Sequence, residues 1–353
     1  MVATRTRSNP SRQPLDVLFT GIPEPTSTVV AVSRVRIVGE MPYDPNDPRS
    51  ELGTTQTTAR RATAADIASP PEYFEFSNIR PDKVTPLGTR SWSVRTQTSV
   101  VVYSEAIAGE RFGRTEQPDE YMMILVSTPT RQAAHVDAVA GSERASIDDD
   151  AVVVVPPGDS EVVVTSPGVV VRIFSNRATD VIEAARNGST HVAEHPHAAP
   201  FAPWPPAPTG DHLRVYRLAD VGVDPSRFGN IFRCSTIMVN VIAADPGARN
   251  PERMSPHFHD DFEQISLQID GDYVHHIRTP WTTNLADWRA DEHQLCASPA
   301  LIVIPPPTVH TSQGIGDHRH QLIDIFCPPR IDFSSKPGWV LNHDDYPQMP
   351  AAD

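Results

Sequence analysis

The sequence predicts an all-β protein, two small barrels in tandem with an N-terminal extension and few short helices. Three observations lead there. Short β-branched runs recur between Gly, Pro, Asp and Ser breaks in a chain with 36 prolines among 353 residues, the composition of many short strands joined by firm turns. The second half repeats the pattern of the first. That half also carries His257, Phe258, His259 and Glu263 as His-x-His-x-x-x-Glu, with His310 following the run Leu301-Ile302-Val303-Ile304, a ligand set for one metal ion in a small barrel.

Residues 1–89 read as an extension. Its first part carries Arg5, Arg7 and Arg12 without the apolar core of a signal peptide and is expected to be a disordered arm, with a transit peptide as the alternative. One strand is expected at 27–39, and 50–61 is polar. From Trp92 the runs SVVVYSEAI, EYMMILVS, AVVVVPP, SEVVVTS and GVVVRIFS form an all-β domain over 90–180. A short helix in TDVIEAARN leads into 181–210, a Pro- and Ala-rich stretch read as a stiff linker. Strands resume over 211–330 with LRVYRLADV, STIMVNVIAA, FEQISLQIDGDYVHHIRT, ALIVIPP and HQLIDIFCP, and 331–353 is a tail.

Aligning Glu263 with Glu120 pairs His257 with Arg114, His259 with Glu116 and His310 with Glu161. Those four first-half residues are poor donors for a transition metal, so the first domain is read as structural and the second as the metal domain. Residues two apart on a strand share a face, which lets His257 and His259 project together into the barrel. Glu263 opens the next strand, and Ile265, Leu267 and Ile269 share its face as an expected apolar pocket wall. Gln264 and Gln268 fall on the opposite face. The Pro305-Pro306-Pro307 turn brings in His310.

With these residues in place, the second half resembles a cupin domain. PHFHDDFEQISLQIDG matches the first cupin motif with one extra residue before Gly271, and IPPPTVH matches the second with Pro307 in place of Gly. The resemblance covers 211–330 and, as a degenerate copy, 90–180. It implies double-stranded β-helix barrels with the ion held by His257, His259, Glu263 and His310. A looser resemblance, to the large subunit of hydroquinone 1,2-dioxygenases, implies an Fe(II) dioxygenase that uses O2 on a small phenolic or enolic substrate, paired with a smaller second subunit. That family holds an amide where this chain has His259. Mn(II) or Zn(II) in an isomerase, lyase or decarboxylase is the alternative enzyme reading, and a non-catalytic small-molecule binding protein is the other.

His276, Gln313 and Arg253 are candidates to meet substrate at the pocket, as acid, base or polar contacts. Arg278 and Arg289 are read mainly as solvated charges, Trp281 and Trp288 as packing, and His318 and His320 as structural. His191, Glu194, His195 and His197 are read as mobile surface residues of the linker. A net charge of -14 argues against nucleic acid as a partner. No run approaches the roughly 20 apolar residues that cross a bilayer. Cys234, Cys296 and Cys327 are odd in number and widely spaced, which argues against a disulfide framework and for a reducing, cytoplasmic setting. At least a homodimer is expected.

Overall fold

A computed structural model describes residues 69–347 except 192, 193, 196, 223, 225 and 228. The arm, the strand expected at 27–39 and the polar stretch 50–61 lie outside the described residues. Ahead of the first barrel stand β1 (Glu72–Glu75), β2 (Lys83–Val84) and β3 (Arg90–Arg95). The barrel itself is β4 (Ser99–Ala106), β5 (Arg111–Gln117), β6 (Tyr121–Leu125), β7 (His135–Ala140), β8 (Glu143–Ile147), β9 (Ala151–Val155), β10 (Gly158–Ser166) and β11 (Gly168–Ser175). Helix α1 (Thr179–Glu183) follows. The second half holds β12 (Arg214–Arg217), β13 (Asn230–Arg233), β14 (Met238–Val241), β15 (Gln264–Asp270), β16 (Asp272–Arg278), β17 (Glu292–Ala297), β18 (Ala300–Ile304), β19 (Val309–Ile315) and β20 (Gln321–Phe326), then helix α2 (Ile331–Ser334).

The first barrel pairs a sheet of order β12-β9-β6-β11-β4-β3-β2 with one of order β5-β10-β7-β8. The second pairs β1-β18-β15-β20-β14-β13 with β17-β16-β19. The counterpart of β5 in the second barrel is an irregular segment, tied down by the bridges Asp245↔His320 and His257↔His310. With it counted beside β19, both halves have the strand order of a jelly roll.

The runs AVVVV of β9 and ALIVI of β18 are buried at every position. A strand reads this way when both of its faces are covered. One face lines its own barrel; the other packs on the neighbouring barrel, where Val101, Met122 and Ile124 share a core with Ile265, Leu267 and Ile325. The barrels also exchange edges. Strand β1 precedes the first barrel yet pairs with β18 of the second, while β12 precedes the second yet pairs with β9 of the first.

This packing changes the expected domain boundaries. The end of the extension supplies a strand to the second barrel rather than standing apart. The stretch 181–210 is not a free spacer: Trp204 and Ala207 are buried, and Trp204 N donates to Ser235 O at 2.7 Å. The tail closes the second barrel, with Phe333, Trp339 and Val340 packed on Ile231, Met238 and Phe326. Cys234, Cys296 and Cys327 are buried free thiols. Among the described residues no helix is long and apolar enough to cross a membrane.

Candidate metal centre

The bridge that ends the irregular segment sets two imidazoles side by side. His257 N donates to His310 O at 3.0 Å and His310 N to His257 O at 2.8 Å. His259, two residues on, turns to the same side, and one ring nitrogen from each of His257, His259 and His310 lies within 4.8 Å of the others. Each of the two bridged histidines donates Nδ1–H to the carbonyl two residues behind it, Ser255 O at 2.8 Å and Thr308 O at 2.9 Å. That fixes the tautomer and leaves the lone pair on Nε2. Burial holds His259 well below the usual imidazole range and His310 down to about 4, so both are neutral at pH 7.

Glu263 is not brought to this group. Its carboxylate accepts from Gln97 N at 2.6 Å and lies 3.4 Å from His191 Nε2, at the seam with the first barrel. It does share a face with Ile265, Leu267 and Ile269, as alternation predicts, but that face forms the inter-barrel core and does not line the cleft at the histidines. Gln264, on the opposite face, points inward. Its Oε1 lies 2.7 Å from His259 Nε2 and 3.2 Å from His310 Nε2. Its Nε2 donates to Ser266 Oγ at 3.0 Å and Asp324 Oδ1 at 3.2 Å, which keeps the oxygen toward the imidazoles. The sequence carried a signal for this: taking Gln264 as the fourth position removes the extra residue before Gly271.

These donors fit a cation. A neutral His310 has one N–H, and Thr308 O takes it, so the Nε2 lone pair faces the acceptor oxygen of Gln264. Two electron-pair donors turned toward each other repel unless a positive charge lies between them. Imidazole nitrogens and an amide oxygen are competent ligands for Fe(II), Mn(II) or Zn(II).

The first barrel holds different residues at the matching places. Tyr121 pairs with Val155 as Gln264 pairs with Ile304, and Ser160 pairs with Arg114 as His310 bridges His257. Ser160, not Glu161, therefore occupies the His310 position, and Tyr121 Oη lies 3.2 Å from its hydroxyl. Glu161 is instead on the surface in a 2.6 Å pair with Arg111, and Glu116 is exposed. Arg114 reaches Asp180 at 2.6 Å and Gln117 at 2.8 Å. Glu120 does correspond to Glu263, and its role is the same: it accepts from Ser235 N at 2.8 Å and Ser235 Oγ at 2.6 Å across the seam.

The other predicted contacts lie elsewhere. His276 and Gln313 are on the outer face of their sheet, 3.2 Å apart, and His276 Nδ1 is 2.8 Å from His293 Nδ1. The inward residue is His275, fully buried, bonded to Ser312 and Gln268, and pushed by burial to about 3. Arg253 is exposed on the loop ahead of His257, where its carbonyl accepts from Arg249. His320 is structural, donating to Ile315 O at 2.6 Å. A Cβ on Gly271, which has φ +79°, would stand 2.5 Å from the His320 ring, so the turn requires glycine. Trp281 and Trp288 stack on each other at 4.2 Å. His191 and His195 are not mobile surface groups: His195 is buried, and His191 meets Glu263.

A cleft of about 510 Å³ opens on the histidines, lined by His257, Phe258, His259, Phe262, Trp204 and Arg330 among others. Phe262 stacks on His259 at 4.3 Å. Arg330, only 7% exposed, lies 4.9 Å over Phe262, 4.8 Å over Phe326 and 3.9 Å over Phe333. No sequence pattern marked it, because the tail brings it in through tertiary packing.

Neither a family profile nor a curated protein matches the chain. Similar solved structures include a variant of the Bacillus subtilis oxalate decarboxylase, 12% identical over 79% of this chain and 84% of that one, with a TM-score of 0.49. Another is the oxalate decarboxylase formate complex of Lactobacillus farciminis, at 17% identity, 73% and 86% coverage and a TM-score of 0.47. A cupin 2 conserved barrel domain protein from Leptotrichia buccalis is 7% identical over 74% and 97%, with a TM-score of 0.40. The fold is a tandem pair of jelly-roll barrels. Strand order within the chain itself carries that statement.

Proposed function

We propose that the second barrel is a metal-dependent catalytic centre, and specifically that of an Fe(II) dioxygenase acting on a small phenolic or enolic substrate. The observation that carries this reading is the convergence of His257, His259 and His310 with the Gln264 oxygen, beside a cleft that His257 and His259 line. His257, His259, His310 and Gln264 would hold the ion. When bound, a divalent ion supplies Lewis acidity toward a substrate oxygen and, as Fe(II), an electron path from that substrate to O2. Phe258, Phe262 and Trp204 give the cleft apolar walls that would seat a flat substrate and displace water. Ser266 and Asp324 keep the Gln264 amide oriented, and the carbonyls of Ser255 and Thr308 keep Nε2 of His257 and His310 in its unprotonated form.

A Mn(II) or Zn(II) lyase or decarboxylase is the second reading. It is favoured by Asp260 and Asp261, which line the cleft beside His259 and would serve to return a proton to a carbanion. Elemental analysis of the purified protein, then anaerobic Fe(II) reconstitution with O2-uptake assays on diphenols and enols, tests the proposal. Oxygen consumption matched to substrate is expected. Turnover indifferent to O2, with CO2 release, would transfer the assignment to the second reading.

A further inference from the structure

The donor set at the candidate centre contains no negative charge. His257, His259, His310 and Gln264 are neutral ligands, and Glu263, which would have supplied a carboxylate, is committed to Gln97 N at the barrel seam. A divalent ion held there keeps its full charge. A second cation stands beside it: Arg330 lines the same cleft and acts electrostatically on both His259 and His310. Asp332 takes only one edge of its guanidinium, accepting from Nε at 2.9 Å and from Nη2. Nη1 has no hydrogen-bond partner among the described residues, and the rings of Phe262, Phe326 and Phe333 fix the plane of the group. An oriented, largely buried guanidinium with donors left over is a fork for a carboxylate.

We infer that the substrate is an aromatic or enolic carboxylate, with its carboxylate held by Arg330 and its neighbouring oxygen directed at the ion. The negative charge missing from the ligands then arrives with the substrate. A plain diphenol has no group for Arg330 to hold, so the substrate class narrows from phenols to phenols and enols that bear an acid. Asp260 and Asp261 at the rim disfavour an anion that lacks this anchor. Burying Arg330 among three aromatic rings stabilises the tail as well, so its role in binding has to be separated from its role in packing.

The inference rests on the metal-centre reading, and the experiment keeps the two apart. Calorimetry would measure binding of 2-hydroxybenzoate, its neutral amide 2-hydroxybenzamide, and hydroquinone to the full chain, both metal-free and loaded anaerobically with Fe(II). Metal content is determined in parallel. The acid is expected to bind about 10- to 100-fold more tightly than the amide. In Arg330→Gln that preference is expected to vanish while affinity for the amide and for hydroquinone stays. Arg330→Lys keeps the charge but loses the fork, and an intermediate preference is expected. Equal affinity of the wild type for acid and amide overturns the inference without any variant, so a misfolded Arg330→Gln does not rescue it. An acid preference that survives in both variants also overturns it. Should the protein take up no metal yet bind the acid through Arg330, the anion site stands and the metal-centre reading fails.

Discussion

The two barrels share strand order, strand register and even the glutamate that ties each to the other, yet their interiors differ, the second adding a polar lining to an apolar patch of Ile277, Cys296, Ala300, Ile302 and Ile304. Inside the first, Tyr121, Met123, Val153, Val155, Val162 and Val164 form an apolar filling. The corresponding strands of the second turn Gln264, Ser266, Gln268, His275 and Asp324 inward, all buried, with Gln264, Ser266 and Asp324 in one hydrogen-bonded group and Gln268 and His275 in another. The comparison teaches that the second barrel draws much of its apolar packing from the core between the barrels. That shared core leaves the second interior free to be polar, a condition an isolated barrel of this size would meet only at a large cost in stability.

The largest expected break in the comparison is His310→Ala. It converts the second site toward the donor-poor state of the first, and metal content measured on the purified protein should fall from about one ion per chain to almost none. Gln264→Ala and Asp324→Asn come next. One removes the fourth donor and the other loosens the amide that carries it, and each should weaken metal affinity by about 10- to 100-fold in a competitive chelator titration. A conventional Glu263 ligand would reverse this order, with Glu263→Gln losing the metal and Gln264→Ala keeping it.

The polar interior should also make the second barrel the acid-sensitive one. His275, with His310 and the adjacent His276 as its nearest titratable influences, is held down at about 3 by burial, against 6.5 for a free imidazole. The folded state therefore binds fewer protons than the unfolded state between these values, and stability falls as pH drops below about 6.5. At pH 5 the loss from this group is on the order of 2 kcal/mol, and urea unfolding of metal-free wild type against His275→Gln should show it as a reduced pH slope in the variant. The smallest effects belong to the paired ties. Glu120→Gln and Glu263→Gln should each cost about 1–3 kcal/mol by removing charged acceptors of backbone N–H groups. Near-equal losses in thermal melts, with metal affinity kept, would confirm that the two residues do one job.

Much of this was legible in the sequence. The valine and isoleucine runs located the strands, the repeat located the barrels, and His257, His259 and His310 located the site. The face of β15 was not. In a free-standing barrel the apolar positions of a strand point inward, so Ile265, Leu267 and Ile269 read as a pocket wall and Glu263 as a ligand. Here the apolar face is covered from outside by a second barrel, and every inward and outward assignment on that strand exchanges. The neighbouring spacing to Gly271 held the correcting information, with six residues between it and Gln264. His276 and Gln313 moved to the surface because the inward residues beside them are His275 and Ser312.

The reciprocal placement of β1 and β12 bears on how such a chain can change over evolutionary time. A gene fragment encoding either barrel alone would bring a strand with no sheet to join and a sheet with an open edge, as β9 would be without Arg214–Arg217, and open edges invite aggregation. Duplication can create this pair, but recombination cannot easily part it again. The first barrel is thus retained as a scaffold whatever becomes of its own site, and the second is free to vary its interior without either partner being lost.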